Sequence, residues 1–314
     1  MTVSETGRVR MFRAIAFAAA LTAYGVAVLG SWVRINGAGM TCPDWPLCRG
    51  ALIPSLEGGV VLEWTHRLLV LVVSVLIVAV AVTGWRVRKQ IVGVVPMVIF
   101  LIAAMALQIG LGGITIFQSN SPPSVTMHWG AAMLVLAAFT ALAVLGVLAP
   151  APGDRPIRSS NAFWPLLLPV IAAYATMLFG AFVSSSGWGL ACPDVPLCNG
   201  TIFGQTIDQL VQMLHRIAAS LLFLSAVYAH FATYRAPHNV RTAAALGLTL
   251  VSFQIVLGVS NVLWRLPTPL REAHAANAAI VFIVYIVALT LARITADPHT
   301  VPIAGSRFAG SRTA

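Results

Sequence analysis

Long apolar stretches dominate this 314-residue chain. Hydrophobic residues make up 59% of it and charged residues only 9%, against roughly 25% charged in a typical soluble protein. A helix needs about 20 apolar residues to cross a bilayer. The sequence therefore predicts an all-α, polytopic membrane protein rather than two soluble domains. Eight stretches qualify as spans, near residues 12–33, 60–84, 92–116, 127–149, 163–183, 209–233, 243–263 and 273–293.

The distribution of Lys and Arg predicts how these spans are oriented. Of the 19 Lys and Arg, 13 fall in the N-terminus, in residues 85–90, 151–161 and 234–242, and in the C-terminal tail. Such residues concentrate in cytoplasmic loops. We expect a protein of the cell membrane with both termini cytoplasmic and a disordered cytoplasmic tail from about residue 295. The net charge of +10 then reflects orientation, and no nucleic-acid partner is expected.

An internal repeat divides the chain into two halves. Residues 30–50 align with residues 180–200 without a gap, at an offset of 150. Both segments contain the sequence Cys-Pro-Asp-x-Pro-Leu-Cys-x-Gly. An even number of spans per half gives both halves the same orientation. We expect two parallel four-helix repeats, residues 1–150 and 151–314, related by a pseudo-two-fold axis along the membrane normal.

Each half carries two histidines near the outer ends of its even-numbered spans. His66 aligns with His215 and His128 with His274. A lone histidine inside a membrane is more often a hydrogen-bonding residue, but four at matched depths indicate a functional site. Axial ligation of haem fits best, with His66 paired with His128 and His215 paired with His274. Zinc or copper is a weaker alternative, because each site offers only two histidines.

Other polar residues in the spans are repeated as well. Arg67 and Arg216 each follow a histidine and suit the propionates of a haem, although an arginine at this depth also reaches the interface simply by snorkelling. Gln108 and Gln254 are equivalent residues within the spans. We interpret them as interhelical hydrogen-bonding residues that pack the bundle.

One mismatch in the repeat concerns a carboxylate. Glu63 lies three residues before His66, so both occupy one face of the helix, while its counterpart is Gln212. A carboxylate beside a metal site is a candidate acid, base or charge stabiliser. The alternative is a solvated, interfacial glutamate at a helix N-terminus, where negative charge is favoured. We predict that Glu63 is catalytic.

The four cysteines of the chain form two Cys-x5-Cys pairs in loops predicted to be extracytoplasmic. That compartment permits disulfides. Local bonds, Cys42–Cys48 and Cys192–Cys198, are the simplest of three connectivities. Stapling of each loop is the favoured role, and a redox role for the first pair is the alternative.

These residues together resemble the haem A synthase family over nearly the whole chain. The resemblance rests on eight spans, Glu63-x-x-His66, histidines on the even-numbered spans and two cysteine-paired loops. It implies that haem O is the substrate and that His66 and His128 hold it beside the catalytic Glu63. It also implies a resident haem b on His215 and His274.

The reaction implied by the resemblance is oxidation of a ring methyl of haem O to the formyl group of haem A by successive oxygen-dependent hydroxylations. Expected partners are membrane lipid, haem O synthase and an unidentified electron donor, and a homo-oligomer is left open. One alternative is a di-haem cytochrome that passes electrons, for example from quinol. Another is a transporter in which the histidines relay protons.

Overall fold

The computed structural model describes residues 3–148 and 161–294, with side chains from residue 6 onward. Its regular structure comprises eight α-helices and two isolated β-bridges. All eight described helices are long and apolar enough to span a membrane, which confirms the predicted fold class. The predicted tail from residue 295 lies outside the described residues. The helices are α1 (Val3–Ile35), α2 (Gly59–Arg86), α3 (Val94–Phe117), α4 (Pro122–Leu148), α5 (Phe163–Ser185), α6 (Ile207–Ala232), α7 (His238–Leu263) and α8 (Thr268–Ile294).

Three helices begin five residues before the apolar stretches that predicted them. The first residues of α4, α7 and α8 are Pro122, His238 and Thr268, each ahead of the expected start. Polar residues and prolines fill these first turns, so a count of apolar residues omits them. Proline is tolerated there because the first N–H groups of a helix have no intrahelical acceptor. The added turns place His128 and His274 inside their helices rather than at the ends.

The two central helices are α4 and α8. In the most apolar windows of α4 and α8, 61% and 44% of the residues are buried, more than in any other described helix. Each odd-numbered helix packs against the even-numbered helix that follows it. Across the middle, α1 contacts α4 as α5 contacts α8, and α1 contacts α8 as α5 contacts α4. This arrangement is consistent with the predicted repeat.

The loops that follow α1 and α5 share one local structure. In each, a cysteine and the residue three positions later form a β-bridge, Cys48 with Ala51 and Cys198 with Thr201. The expected local disulfides, Cys42–Cys48 and Cys192–Cys198, are both present. We call the end of the bundle that carries these loops the cysteine-loop end.

Candidate functional site

The four predicted ligand histidines lie at similar depths near the cysteine-loop end. His66, His128, His215 and His274 each lie about two helical turns from the first residue of α2, α4, α6 or α8. All four are half-buried. Nδ1 of His274 is buried and has no hydrogen-bond partner, whereas the backbone of Val26 lies beside His66 and that of Gln108 beside His128. Such unpartnered polar atoms are uncommon in a packed interior and indicate a site that takes a further group.

The structure brings the predicted pairs together. The ring centroids of His215 and His274 are 6.5 Å apart, with the ring planes at 72°. Two metal–nitrogen bonds of about 2 Å each, plus about 1 Å from each nitrogen to its ring centre, span about 6 Å. The gap therefore has the size that one metal ion needs between two imidazoles. His66 and His128 are also close enough to interact electrostatically.

The set of donors favours haem over a bare metal ion. Within residues 3–148 and 161–294, no group of three or more His, Cys, Asp or Glu side chains is placed to hold one ion. A tetrahedral zinc site of the structural kind needs four such ligands. Haem needs only axial ligands from the protein, because its macrocycle supplies the other four nitrogens.

One hydrogen bond identifies the nitrogen that is free for a metal. Nδ1 of His215 lies 3.1 Å from the carbonyl oxygen of Thr176 in α5. A carbonyl only accepts, so Nδ1 carries the proton and Nε2 keeps its lone pair. Hydrogen bonds of this type orient ligand histidines in metal sites and fix their tautomer.

A glycine on the preceding helix packs against each histidine ring. A Cβ atom built on Gly30 of α1 would lie 2.8 Å from Cε1 of His66, and one on Gly180 of α5 would lie 2.9 Å from Cε1 of His215. The corresponding distances are 3.1 Å for Gly112 and His128 and 3.2 Å for Gly258 and His274. Any larger residue would push the ring away, so the four glycines define the ring positions.

The repeated glutamines differ between the halves. Nε2 of Gln108 lies 3.3 Å from Nε2 of His128, and its buried Oε1 has no partner. Gln254 instead donates to the backbone oxygen of His274 and accepts a 2.7 Å hydrogen bond from Asn277. The residue equivalent to Asn277 is Ala131, which cannot form this bond. Only the glutamine of the first half therefore lies at an imidazole nitrogen.

The carboxylate of Glu63 is buried against the first cysteine loop. Its Oε2 accepts hydrogen bonds from the N–H of Cys42, at 2.8 Å, and from the hydroxyl of Thr41, at 2.9 Å. Its Oε1 forms a 2.6 Å salt bridge with Arg67, one turn further along α2. These contacts join α2 to the loop, so Glu63 has a structural role next to the predicted ligand His66.

The equivalent amide makes the equivalent contact in the second half. Oε1 of Gln212 accepts a hydrogen bond from the N–H of Cys192, and its Nε2 donates to the carbonyl oxygen of Gly189. Both Glu63 and Gln212 are only 4% exposed. An amide can therefore hold a cysteine loop, and the charge of Glu63 is not needed for that purpose.

The arginines beside the histidines also hold the cysteine loops. The guanidinium groups of Arg67 and Arg216 both donate to loop carbonyls, so each loop is closed over the start of its even-numbered helix. Their predicted role at propionates would have to coexist with these contacts. The acceptors are Cys42, Asp44 and Leu47 for Arg67, and Cys192, Asp194, Pro196 and Leu197 for Arg216.

The first cysteine loop has two features that the second lacks. The indole ring of Trp45 lies over Gly113 of α3, next to the glycine that contacts His128, whereas Val195 stands at the equivalent position. The carboxylate of Asp44 accepts hydrogen bonds from the N–H groups of Gly50 and Arg49. These bonds, chiefly that of Gly50, lower the pKa of Asp44 below its usual range. Asp44 thus forms hydrogen bonds within the first loop. Trp45 brings the same loop against α3, next to the glycine that contacts His128.

The four glycines and Asn277 were missed by the sequence analysis. A pattern was available for the glycines, because Gly30 matches Gly180 at the same offset as the cysteines and Gly112 matches Gly258 at the same offset as His128 and His274. Their contact with the rings depends on how closely two helices approach, which the repeat alone does not give.

Eight spanning helices and two histidine pairs define a multi-pass membrane protein whose site suits haem. Comparison with known proteins agrees. The chain matches the model of the COX15-CtaA family, described as cytochrome oxidase assembly protein, over residues 13–286. The chain belongs to this family.

Several relatives carry the name heme A synthase. The chain is 30% identical over 267 residues to that of Bacillus licheniformis, covering 80% of this chain and 85% of the relative. It is 30% identical over 249 residues to that of Shouchella clausii, covering 76% and 82%. With that of Halalkalibacterium halodurans it shares 28% identity over 290 residues, covering 87% and 95%.

Proposed function

We propose that this protein is a haem A synthase, an oxidoreductase that converts a ring methyl of haem O into the formyl group of haem A. The observation that carries the proposal is the presence of two histidine pairs, with space for a metal between the rings of His215 and His274, in a chain of this family. The relatives that match most of its length are named for this activity.

The two halves have different roles in this proposal. The N-terminal half, residues 1–150, takes haem O between His66 and His128. The C-terminal half, residues 151–314, keeps a haem b between His215 and His274. When bound, haem b supplies a one-electron redox centre. The asymmetry of the glutamines supports this division, because both ends of the Gln254 amide are hydrogen-bonded whereas Oε1 of Gln108 has no partner.

The reaction needs oxygen, electrons and protons in balance. Each hydroxylation takes one O2, two electrons and two protons, inserts one oxygen atom into a C–H bond and releases one water. The second hydroxylation gives a geminal diol, which loses water to form the aldehyde. The electrons come from a donor outside the chain, and a group near the substrate must handle the protons.

Glu63 is the residue that we assign to this task. Its carboxylate is buried one turn from His66 and is fixed by Arg67, Thr41 and Cys42, so it is oriented before the substrate arrives. A preorganised carboxylate can hold a proton at an oxygen or stabilise positive charge that develops on the substrate. Gln212 can do neither, which agrees with a non-reacting haem in the second half.

The membrane setting suits a haem that carries a long hydrophobic tail. The even-numbered helices place the histidines between apolar walls, and a lipid-soluble substrate can enter from the bilayer. The distribution of Lys and Arg supports cytoplasmic termini and extracytoplasmic cysteine loops in the cell membrane. Haem O synthase is the enzyme that must supply the substrate, and a homo-oligomer is compatible with this arrangement.

The test is the haem content of cells that produce haem O and depend on this protein for haem A. Wild type should yield haem A. Glu63→Gln should abolish it and accumulate haem O or a hydroxylated intermediate. The control is Glu57→Gln, the same exchange at an exposed position just before α2, which should leave haem A synthesis in place.

The Glu63→Gln variant tests the charge of the carboxylate while keeping the shape of the side chain. Gln212 already holds its loop as an amide, so glutamine at position 63 can keep the hydrogen bond from Cys42 and the protein should remain folded. Unchanged haem A in Glu63→Gln would refute the catalytic assignment. A purified wild-type protein that has bound haems but never yields haem A would instead support the electron-transfer alternative.

A further inference from the structure

A polar cleft lies between the two halves at the cysteine-loop end. It has a volume of about 260 Å³ and is lined by the ends of α1, α4, α5 and α8. Two arginines, Arg34 at the end of α1 and Arg271 at the start of α8, line it together with Ser184, Ser185 and Asn120. None of these residues belongs to the histidine sites described above.

The cleft lies where equivalent surfaces of the two halves meet. Arg34 aligns with Ser184 in the repeat, and Arg271 aligns with Val125. All four residues line the same cleft. Each half therefore contributes one arginine, at positions that are not equivalent in the repeat.

Neither arginine forms a salt bridge with any residue that the structure describes. Among the described residues the one salt bridge joins Arg67 to Glu63, and no hydrogen bond forms from the guanidinium group of Arg34 or Arg271. The two are close enough to repel each other. The nearest acid, the buried Glu272, attracts Arg34 but does not reach salt-bridge distance.

Two half-buried cations without a salt bridge are unfavourable unless an anion compensates them. A guanidinium group offers planar, paired N–H donors that match the two oxygens of a carboxylate or phosphate. The hydroxyl of Ser184 in the same wall adds a neutral donor. We propose that this cleft binds an oxyanion, a carboxylate or a phosphate, between Arg34 and Arg271.

Two molecules available to a membrane protein carry such a group. One is a haem, through its propionates. Arg34 lies one turn beyond Gly30, which contacts His66, and Arg271 lies one turn before His274, so each arginine adjoins a different histidine site. This source rests on the proposed function. The other is an anionic phospholipid, because the cleft opens at the helix ends, where headgroups lie.

The test compares purified wild-type protein with the double variant Arg34→Gln/Arg271→Gln. The matched control is Arg265→Gln, which removes one exposed charge at the same end of the bundle but outside the cleft. Two quantities are measured on each protein: the midpoint potential of its haems, and the phosphatidylglycerol that it retains in native mass spectra after incubation with that lipid.

Each source of the oxyanion gives a different result. If propionates bind, the double variant should show a lower haem potential with lipid retention unchanged, because removing nearby cations favours the oxidised, more positive iron. If a phospholipid binds, the double variant should lose the retained lipid while the potentials stay the same. The single variants Arg34→Gln and Arg271→Gln serve if the double variant does not fold, and each should show a smaller shift in the same direction.

The proposal is wrong if both quantities match wild type in variants that lack these arginines. Haem A synthesis in cells is recorded separately for the same proteins. If the wild-type protein makes no haem A but the double variant loses the retained lipid, the proposed function is overturned and the oxyanion site is supported. Normal haem A synthesis with both quantities unchanged would overturn the oxyanion site alone.

Discussion

Replacing the glycines that contact the histidine rings should displace the axial ligands. Gly180 is the sharpest case in the second half, because an added Cβ would lie 2.9 Å from Cε1 of His215. Carbon atoms in favourable contact are separated by about 3.5–4.0 Å. In Gly180→Ala the ring must therefore move by about 0.6 Å or more, and Thr176, which accepts the Nδ1–H hydrogen bond, holds it back.

The cost of this displacement follows from the energetics of overpacking. Inserting a methyl group into a packed site costs about 1–3 kcal/mol. Because about 1.4 kcal/mol is a tenfold change in an equilibrium constant, haem affinity at His215 and His274 should fall by roughly 5-fold to 150-fold. Gly258→Ala should have a smaller effect, because the added atom would lie 3.2 Å from Cε1 of His274.

The assay is the haem b content per chain of the purified variants, with the absorption spectrum of the remaining haem. Gly25→Ala and Gly110→Ala are matched controls, since nothing lies within 4 Å of a Cβ atom at either position. In a helix interior, alanine is favoured over glycine by about 1 kcal/mol. The controls should therefore keep their haem and melt at the same or a higher temperature.

The corresponding change in the first half separates the two sites. Gly30→Ala should impair haem A synthesis while haem b content stays near that of wild type, because Gly30 contacts His66 and not His215. Full haem b content and an unshifted spectrum in Gly180→Ala would refute the inference that this glycine positions the ligand. Loss of haem from Gly25→Ala as well would point to general damage to the bundle.

Further predictions concern the polar contacts and the loops. Asn277→Leu should release Gln254 and lower haem b retention severalfold, whereas Gln108→Leu should lower haem A synthesis with haem b unchanged; haem extraction measures both. Replacing Cys192 and Cys198 by serine should destabilise the second loop by about 2 kcal/mol, from the entropy of closing a short loop, and lower the melting temperature. An equal melting temperature in the serine variant would contradict the stapling role.

The features that follow from periodicity and repetition could be predicted from the sequence. Eight apolar stretches give eight spans because lipid leaves the backbone few alternatives to a helix. The local disulfides follow from six-residue spacing within one loop, as Cys42 and Cys48 illustrate. The sequence paired the two histidines of each half, and His215 and His274 do lie close together.

What could not be predicted depends on distances between segments far apart in the chain. The contact of Glu63 with Cys42 requires the loop to fold back over α2, and no local pattern encodes that path. Arg34 and Arg271 meet only because α1 and α8 are neighbours across the middle of the bundle. The two arginines are far apart in the chain, and no periodicity or repeat in the sequence pairs them.

The two halves differ in how the polar groups near their histidine pairs are hydrogen-bonded. In the second half Gln254 is tied to Asn277, and Gln212 joins helix to loop with a neutral amide, which suits a cofactor that stays in place. In the first half Gln108 keeps an unpartnered oxygen beside His128, while Glu63 adds a charge that its loop contact does not require. A site whose ligand must enter, react and leave cannot have all its polar groups already satisfied, since some must change partners at each step. The first half, in which Gln108 keeps an unpartnered oxygen beside His128, is therefore the one in which exchange and chemistry are expected.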